Sequence, residues 1–327
     1  MEPDVAATMT AGVATRLLFI AANPSIDRLY EVDGLAIGGI HRPLAEVAVP
    51  GGKGLNAARA AATLGGSVTV VGIVAGRAGE WIVDGLATLG IEARMAHGTG
   101  ETRTCVSILD RADGRLTEVY PRGPEVESAT WAAFESVVRT ELAHDVAVMA
   151  LSGSLPPGAP TDGYARIARM AADQVPAVPV LADTAGDALV ALLEERPALV
   201  KVNAAEAADA TDVAVTDASS AADAAHALRR DGAGVAIVTL GARGAVVVTE
   251  TERVRLVSPD ATGSYPTGSG DAFLGGLAVA WSRRERMVNA ARLGMAAGIA
   301  NAQLPGAGNL DPNRINGLLA AIALDPL

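Results

Sequence analysis

Residues 145–151 (DVAVMAL), 178–183 (VPVLAD), 198–202 (ALVKV) and 235–240 (VAIVTL) are short, almost unbroken apolar runs. Stretches with helical spacing lie between them, at 161–174, 186–195 and 217–230, and another at 128–142 precedes the first run. Continuous apolar strands alternating with amphipathic helices imply a parallel sheet covered on both faces. The fold class is therefore α/β. Toward the N-terminus, 16–22 (RLLFIAA) and 67–74 (SVTVVGIV) read as further buried strands. Helices at 57–64 and 79–89 stop at Gly65-Gly66 and Gly90, as glycine after a last turn requires. Toward the C-terminus, 245–248 and 253–257 read as strands, and 270–282 and 286–302 as helices.

Two excursions interrupt this alternation. Residues 29–32 and 44–49 are β-type stretches on either side of Gly38-Gly39, which suits antiparallel strands. Residues 104–109 and 116–120 flank Asp113-Gly114, a strong hairpin signal. A small accessory sheet is expected from about 28–50 and 95–122, set into one α/β domain over 16–327, with 1–15 a frayed tail.

The chain has 327 residues, 50% hydrophobic but only 3% aromatic, so its core must be built from Ala, Val, Leu and Ile. Its net charge of -11 disfavours nucleic acid and membrane surfaces as partners. Cys105 is the single cysteine, and His41, His97, His144 and His226 are scattered, which leaves no intrachain disulfide and no Cys-rich zinc site. The acidic start (Met1, Glu2, Pro3, Asp4) lacks the basic region of a signal peptide. The expected location is cytoplasmic. Lys53 and Lys201 are the only lysines. Neither completes G-x-x-x-x-G-K-[ST], so no P-loop is present.

In such sheets ligands lie beyond the carboxyl ends of the strands. Glycine-rich or polar segments occupy four of those ends. Gly51-Gly52-Lys53-Gly54-Leu55-Asn56 lets a backbone approach a ligand closely, and Asn56 offers a donor and an acceptor to a sugar hydroxyl. Gly52-x-Gly54-x-x-Ala57 also fits a dinucleotide fingerprint, although Gly76-Arg77 stands where that motif needs an acid. Gly268-Ser269-Gly270-Asp271 precedes an apolar helix. Successive amides at a helix start form an anion site, and a carboxylate beside one suits phosphoryl transfer. An Asp N-cap after a glycine turn explains the same residues. Lys201-x-Asn203-x-x-Glu206 offers phosphate and magnesium contacts or simply a capped helix. Thr239-Leu240-Gly241-Ala242-Arg243-Gly244 offers a hydroxyl to a nucleotide phosphate or is a plain turn.

In this order, and joined by Asn23-Pro24-Ser25-Ile26-Asp27, Thr102-Arg103 and Ser152-Gly153-Ser154-Leu155-Pro156-Pro157-Gly158, these segments resemble the ribokinase-like (PfkB) carbohydrate kinases. The last three point to the family's phosphosugar branch, which includes 1-phosphofructokinase and tagatose-6-phosphate kinase. The resemblance implies a three-layer α/β sandwich with a mostly parallel central sheet and a small β-sheet lid. It also implies ATP-dependent phosphorylation of a sugar phosphate, with fructose 1-phosphate as first candidate, and Mg2+ as companion of ATP.

By position, the resemblance makes Asp271 the catalytic base and Gly268, Ser269 and Gly270 the anion hole. Asp27, Gly52 and Asn56 match residues that hold the sugar, and Arg103 matches the ligand of its phosphate, as a forked guanidinium suits. Lys53, Arg42 and Ser154 are further substrate contacts. Lys201, Asn203, Thr239, Gly241 and Gly244 match the nucleotide side, and Glu206 the metal side. The lid of the family often forms a homodimer interface. Many members bind a monovalent cation at the loop before the base, and Tyr265-Pro266 departs from the family pattern there, which puts potassium in question. Tagatose 6-phosphate, fructose 6-phosphate, an unphosphorylated sugar or a nucleoside are alternative acceptors. A catalytically silent sugar-binding relative is the alternative outside the enzymes.

Overall fold

The apolar runs before 235 turn back through helices to lie parallel to their neighbours, as crossover connections between parallel strands require. A computed structural model describes residues 16–259 and 263–327. The expected tail at 1–15 lies outside the described residues. In chain order, β1 (Arg16–Ala21), β2 (Ser25–Val32) and β3 (Ala45–Gly51) lead to α1 (Lys53–Thr63) and β4 (Ser67–Val74). Next come α2 (Gly76–Thr88), β5 (Glu92–His97), β6 (Thr104–Asp110) and β7 (Leu116–Val119). The regular alternation follows as α3 (Ser128–Leu142), β8 (Val146–Ser152), α4 (Gly163–Ala172), β9 (Val180–Asp183), α5 (Asp187–Glu194) and β10 (Leu199–Asn203). It continues through α6 (Ala204–Thr211), α7 (Ala218–Arg230) and β11 (Val235–Thr239). The chain closes with β12 (Ala245–Val248), β13 (Arg253–Val257), α8 (Ser269–Ser282), α9 (Met287–Ala302), α10 (Ile315–Ala321) and β14 (Ala323–Pro326).

The large sheet has the order β14-β13-β12-β11-β10-β9-β8-β1-β4-β5. From β11 to β5 every pairing is parallel, and β12, β13 and β14 add an antiparallel edge. Alternation along the strands splits the core in two, because successive side chains point to opposite faces. Leu17 and Phe19 of β1 join one cluster, with α1, α8 and α9, while Leu18 and Ile20 join the other, with α3, α4, α5 and α7. The result is the expected helix–sheet–helix sandwich.

Helix α8 is buried over Ala272–Ala280 because it is apolar on every side. It lies between α1 and α9. Small residues make that possible: a Cβ on Gly276 would stand 2.8 Å from Gly294 Cα, and one on Gly275 would stand 2.5 Å from the Ala57 carbonyl. A core with few aromatics is thus filled by close backbone approach.

The small sheet has the order β3-β2-β6-β7. Its outer pairs are antiparallel, as expected, but β2 and β6 run parallel, with Ile26 opposite Thr104 and Val32 opposite Asp110. The reason is topological. Strand β2 continues from β1 and β6 follows β5, so both leave the same end of the parallel sheet side by side. The second excursion also starts later than expected, because residues 92–97 pair with β4 as the last strand of the large sheet. Helix α10 and strand β14 were not anticipated; their short, mixed sequence carries little periodicity.

Candidate active site

The carboxyl ends of the strands and the small sheet enclose a cleft of about 1100 Å³. Asp27, on β2, faces the start of α1. Its carboxylate accepts the Ser25 hydroxyl at 2.6 Å, and the Gly52 amide and Asn56 Nδ2 at 3.1 Å each. The same Asn56 nitrogen donates to Asp271 Oδ2 at 3.0 Å. Asn56 is 3% exposed, and its Oδ1 has no partner. One amide therefore ties two carboxylates from distant parts of the chain. The dinucleotide reading of Gly52-x-Gly54 does not survive, since the glycines follow a strand of the small sheet and β4 ends at Val74 without an acid.

Both lysines of the chain converge on a residue absent from the sequence reading. Asp183, at the end of β9, pairs with Lys201 at 2.7 Å and with Lys53 at 3.2 Å. Lys53 also reaches Glu206 at 3.2 Å. Burial raises the Asp183 pKa, but the attraction of Lys201 and Lys53 outweighs it and holds the carboxyl below its ordinary value. Asp183 in turn pushes the Lys53 ammonium well above the ordinary lysine value, against the opposing effect of burial. The available signal was VPVLAD itself, in which an Asp closes a strand with no other charge.

Asp271 sits in the first turn of α8, whose N-cap is Gly268 at φ +83. A Cβ at Gly268 would lie 2.7 Å from the Gly308 nitrogen, so only glycine fits. Asp271 makes no capping bond, which removes the N-cap explanation. Burial first, and then the charge of Asp183, pushes its carboxyl up to about 7, opposed by Lys53, the Asn56 hydrogen bond and Lys201. The expected three-amide nest is modified. The Ser269 amide donates to the Pro266 carbonyl at 3.1 Å. The Gly268, Gly270 and Asp271 amides are left without an acceptor among the described residues. Lys201 Nζ lies 3.4 Å from where a Cβ on Gly270 would stand.

Arg103 lines the cleft and is steadied by two carbonyls, Pro121 at 2.9 Å and Asn23 at 2.8 Å. Its Nε has no acceptor. Ser154 lines the cleft beside Asn23, which donates to its hydroxyl at 3.4 Å. Lys201, Asn203, Glu206, Thr239, Gly241 and Gly244 line the same cleft. Asn203 and Glu206 form a reciprocal capping box on α6, so that structural explanation holds alongside the ligand-facing one. Arg42 is the exception. It is exposed on the connection between β2 and β3, outside both strands, and does not line the cleft.

Asn301 was also missed. Fully buried near the end of α9, it donates to the Thr267 carbonyl at 2.9 Å and accepts the Gly308 amide at 2.7 Å, bracing the loop that enters α8. A polar residue within the alanine-rich helix was its signal.

A sequence model described as pfkB family carbohydrate kinase matches residues 21–314. Among solved structures, the tetrameric inhibited form of phosphofructokinase-2 from Escherichia coli is 26% identical with a TM-score of 0.85, covering 94% of this chain and 98% of that one. The same enzyme in complex with fructose-6-phosphate is 27% identical with a TM-score of 0.83, covering 94% and 99%. A possible 1-phosphofructokinase from Thermotoga maritima shares the fold at 21% identity and a TM-score of 0.86, covering 95% and 99%. These matches, on the layers and cleft described above, make the protein a sugar kinase, a phosphotransferase with an alcohol acceptor, and a member of the pfkB family of carbohydrate kinases.

Proposed function

We propose that this chain transfers the γ-phosphoryl group of ATP to a hydroxyl of a sugar phosphate, with fructose 1-phosphate, giving fructose 1,6-bisphosphate, as first candidate. The observation that carries this reading is the Asn56 bridge between Asp27 and Asp271 in a cleft that Arg103 also lines. Asp27 and Asn56 hold sugar hydroxyls beside Gly52 and Ser154. Arg103 receives the phosphate already on the sugar. Asp271 takes the proton of the attacking hydroxyl. That oxygen attacks the γ-phosphorus in line as the bond to the β-phosphate oxygen breaks and ADP leaves. The Gly268, Gly270 and Asp271 amides face the charge on the migrating group, and Lys53 and Lys201 offset it further. Asn203, Thr239, Gly241 and Gly244 serve the nucleotide.

Magnesium supplies neutralisation of phosphate charge when bound. Glu206 is its protein contact, but one oxygen accepts the Asn203 amide and the other Lys53. Among the described residues no group of three or more Asp, Glu, His and Cys is arranged for a metal ion. This donor set fits an ion that arrives with the nucleotide and keeps much of its water.

Fructose 6-phosphate is the second reading, favoured by the similarity to the Escherichia coli enzyme solved with that sugar. ADP release over a panel of sugars and sugar phosphates decides between them. Arg103→Ala is expected to raise KM for the sugar phosphate roughly tenfold or more, the scale of a lost hydrogen bond to a charged group, with little change for ATP. Equal effects on both substrates would mean that Arg103 does not read the phosphate. Because a base must be ionised, kcat/KM is expected to rise with pH through about 7, where the Asp271 carboxyl titrates, and then level. A profile flat across about pH 5 to 9 would remove Asp271 from that role. We also propose a homodimer through the small sheet, resting on the exposed Ile37, Ile40 and Leu44 of the β2–β3 connection; sedimentation as a monomer would refute it.

A further inference from the structure

The loop entering α8 sends two hydroxyls across to the small sheet. Tyr265 donates to Glu31 Oε1, on β2, at 2.8 Å, and Thr267 donates to Glu118 Oε1, on β7, at 2.8 Å. Glu31 is 4% exposed and also pairs with Arg111, in the turn between β6 and β7. Glu118 also accepts the Tyr120 phenol. On its other side the loop is held by the body of the protein. Asn301 Nδ2 donates to the Thr267 carbonyl at 2.9 Å and approaches the Ser269 hydroxyl at 3.2 Å, and the Tyr265 amide donates to the Ala302 carbonyl at 3.0 Å.

The loop is thus gripped through its backbone by α9 and through its side chains by the small sheet. A charge-assisted hydrogen bond to a carboxylate is one of the stronger contacts a hydroxyl makes, above all at the buried Glu31; Glu118 is exposed, so the Thr267 bond is the weaker of the two. Both bonds exist only while the small sheet rests on this loop. The loop leads directly into the Gly270 and Asp271 amides, which are the first free donors of α8. Whatever fixes residues 265–267 therefore fixes the direction of those amides.

We infer that Tyr265 and Thr267 are positioning residues that couple the seating of the small sheet to the geometry of the first turn of α8. With the sheet seated, Glu31 and Glu118 hold the loop and the turn is ordered. With the sheet raised, the loop keeps only its bonds to α9 and the turn loosens. The effect on turnover rests on the kinase reading above, because an ordered turn only over a covered cleft would keep ATP from reacting with water before the sugar is enclosed. The coupling itself does not rest on that reading.

Hydrogen–deuterium exchange on the full chain tests it, with Tyr265→Phe and Thr267→Val as separate variants whose folding is checked by melting. Tyr265→Phe is expected to speed exchange roughly tenfold, the scale of one charge-assisted bond to a buried group, and Thr267→Val by less, because Glu118 is exposed, in both cases in β2 and β7 and in residues 265–272. Glu118→Gln keeps an acceptor for Thr267 and is expected to exchange close to wild type. Faster exchange of the loop alone, with β2 and β7 protected as before, would overturn the coupling. So would unchanged exchange everywhere in a folded variant. In parallel, ATP hydrolysis without sugar is expected to rise relative to transfer in both variants. If wild type phosphorylates no sugar phosphate, the proposed function fails while the exchange comparison still decides the coupling.

Discussion

Replacing Asp271 by Asn is expected to lower kcat by ~10²-fold or more, the usual scale for a general base, and at the same time to stabilise the fold above pH 7. The two effects share a cause. Burial and the nearby Asp183 charge raise the Asp271 carboxyl to about 7, so the folded state prefers it neutral. A carboxyl raised in this way contributes stability at pH values below its unfolded pKa, and that contribution is lost as pH rises through about 7. Asn removes the charge but keeps the shape. Its melting temperature is expected to exceed that of wild type at pH 8, by an amount on the order of a few kcal/mol of stability, and to meet it near pH 4. Loss of activity without this gain would indicate a damaged fold. Normal turnover would remove the base.

Asp183→Asn is expected to be the most destabilising single change in the cleft. It leaves Lys201, with a side chain only 3% exposed, without its counter-charge. Breaking a buried pair from one side costs about 3–5 kcal/mol, readable by chemical denaturation. Asp183→Asn combined with Lys201→Met removes both charges and is expected to recover much of the loss. The single variant has a second signature. Asp183 raises the Asp271 carboxyl, so any activity that remains is expected to reach its plateau at a lower pH. A variant as stable as wild type would mean that Lys201 finds another partner.

The layers of the sandwich were legible because β1 and β8 to β11 are nearly pure apolar runs, which only a two-faced parallel sheet accommodates. The parallel pairing of β2 with β6 was not, because it follows from where each strand leaves the large sheet rather than from either sequence. In the cleft, residues within glycine-rich segments were found, since glycine marks backbone that must bend or approach closely. Asp183 and Asn301 lie in an ordinary strand and an ordinary helix, where one polar residue looks like noise until burial is known. Ser269 is the opposite case. It sits in the right segment, but Pro266 two residues before the turn supplies a carbonyl that takes up its amide.

Helix α8 has a consequence for how such a protein can change its preferences. Its Gly275 and Gly276 touch the main chains of both neighbours, so no methyl group can be added there without moving a helix. The wall of the cavity that carries Asp271 is therefore frozen by its own scaffold. Retuning for a different acceptor has to come from the opposite wall, where side chains of β2, β6 and β7 other than the tied Asp27, Glu31 and Glu118 stand on a thin sheet and can vary one at a time.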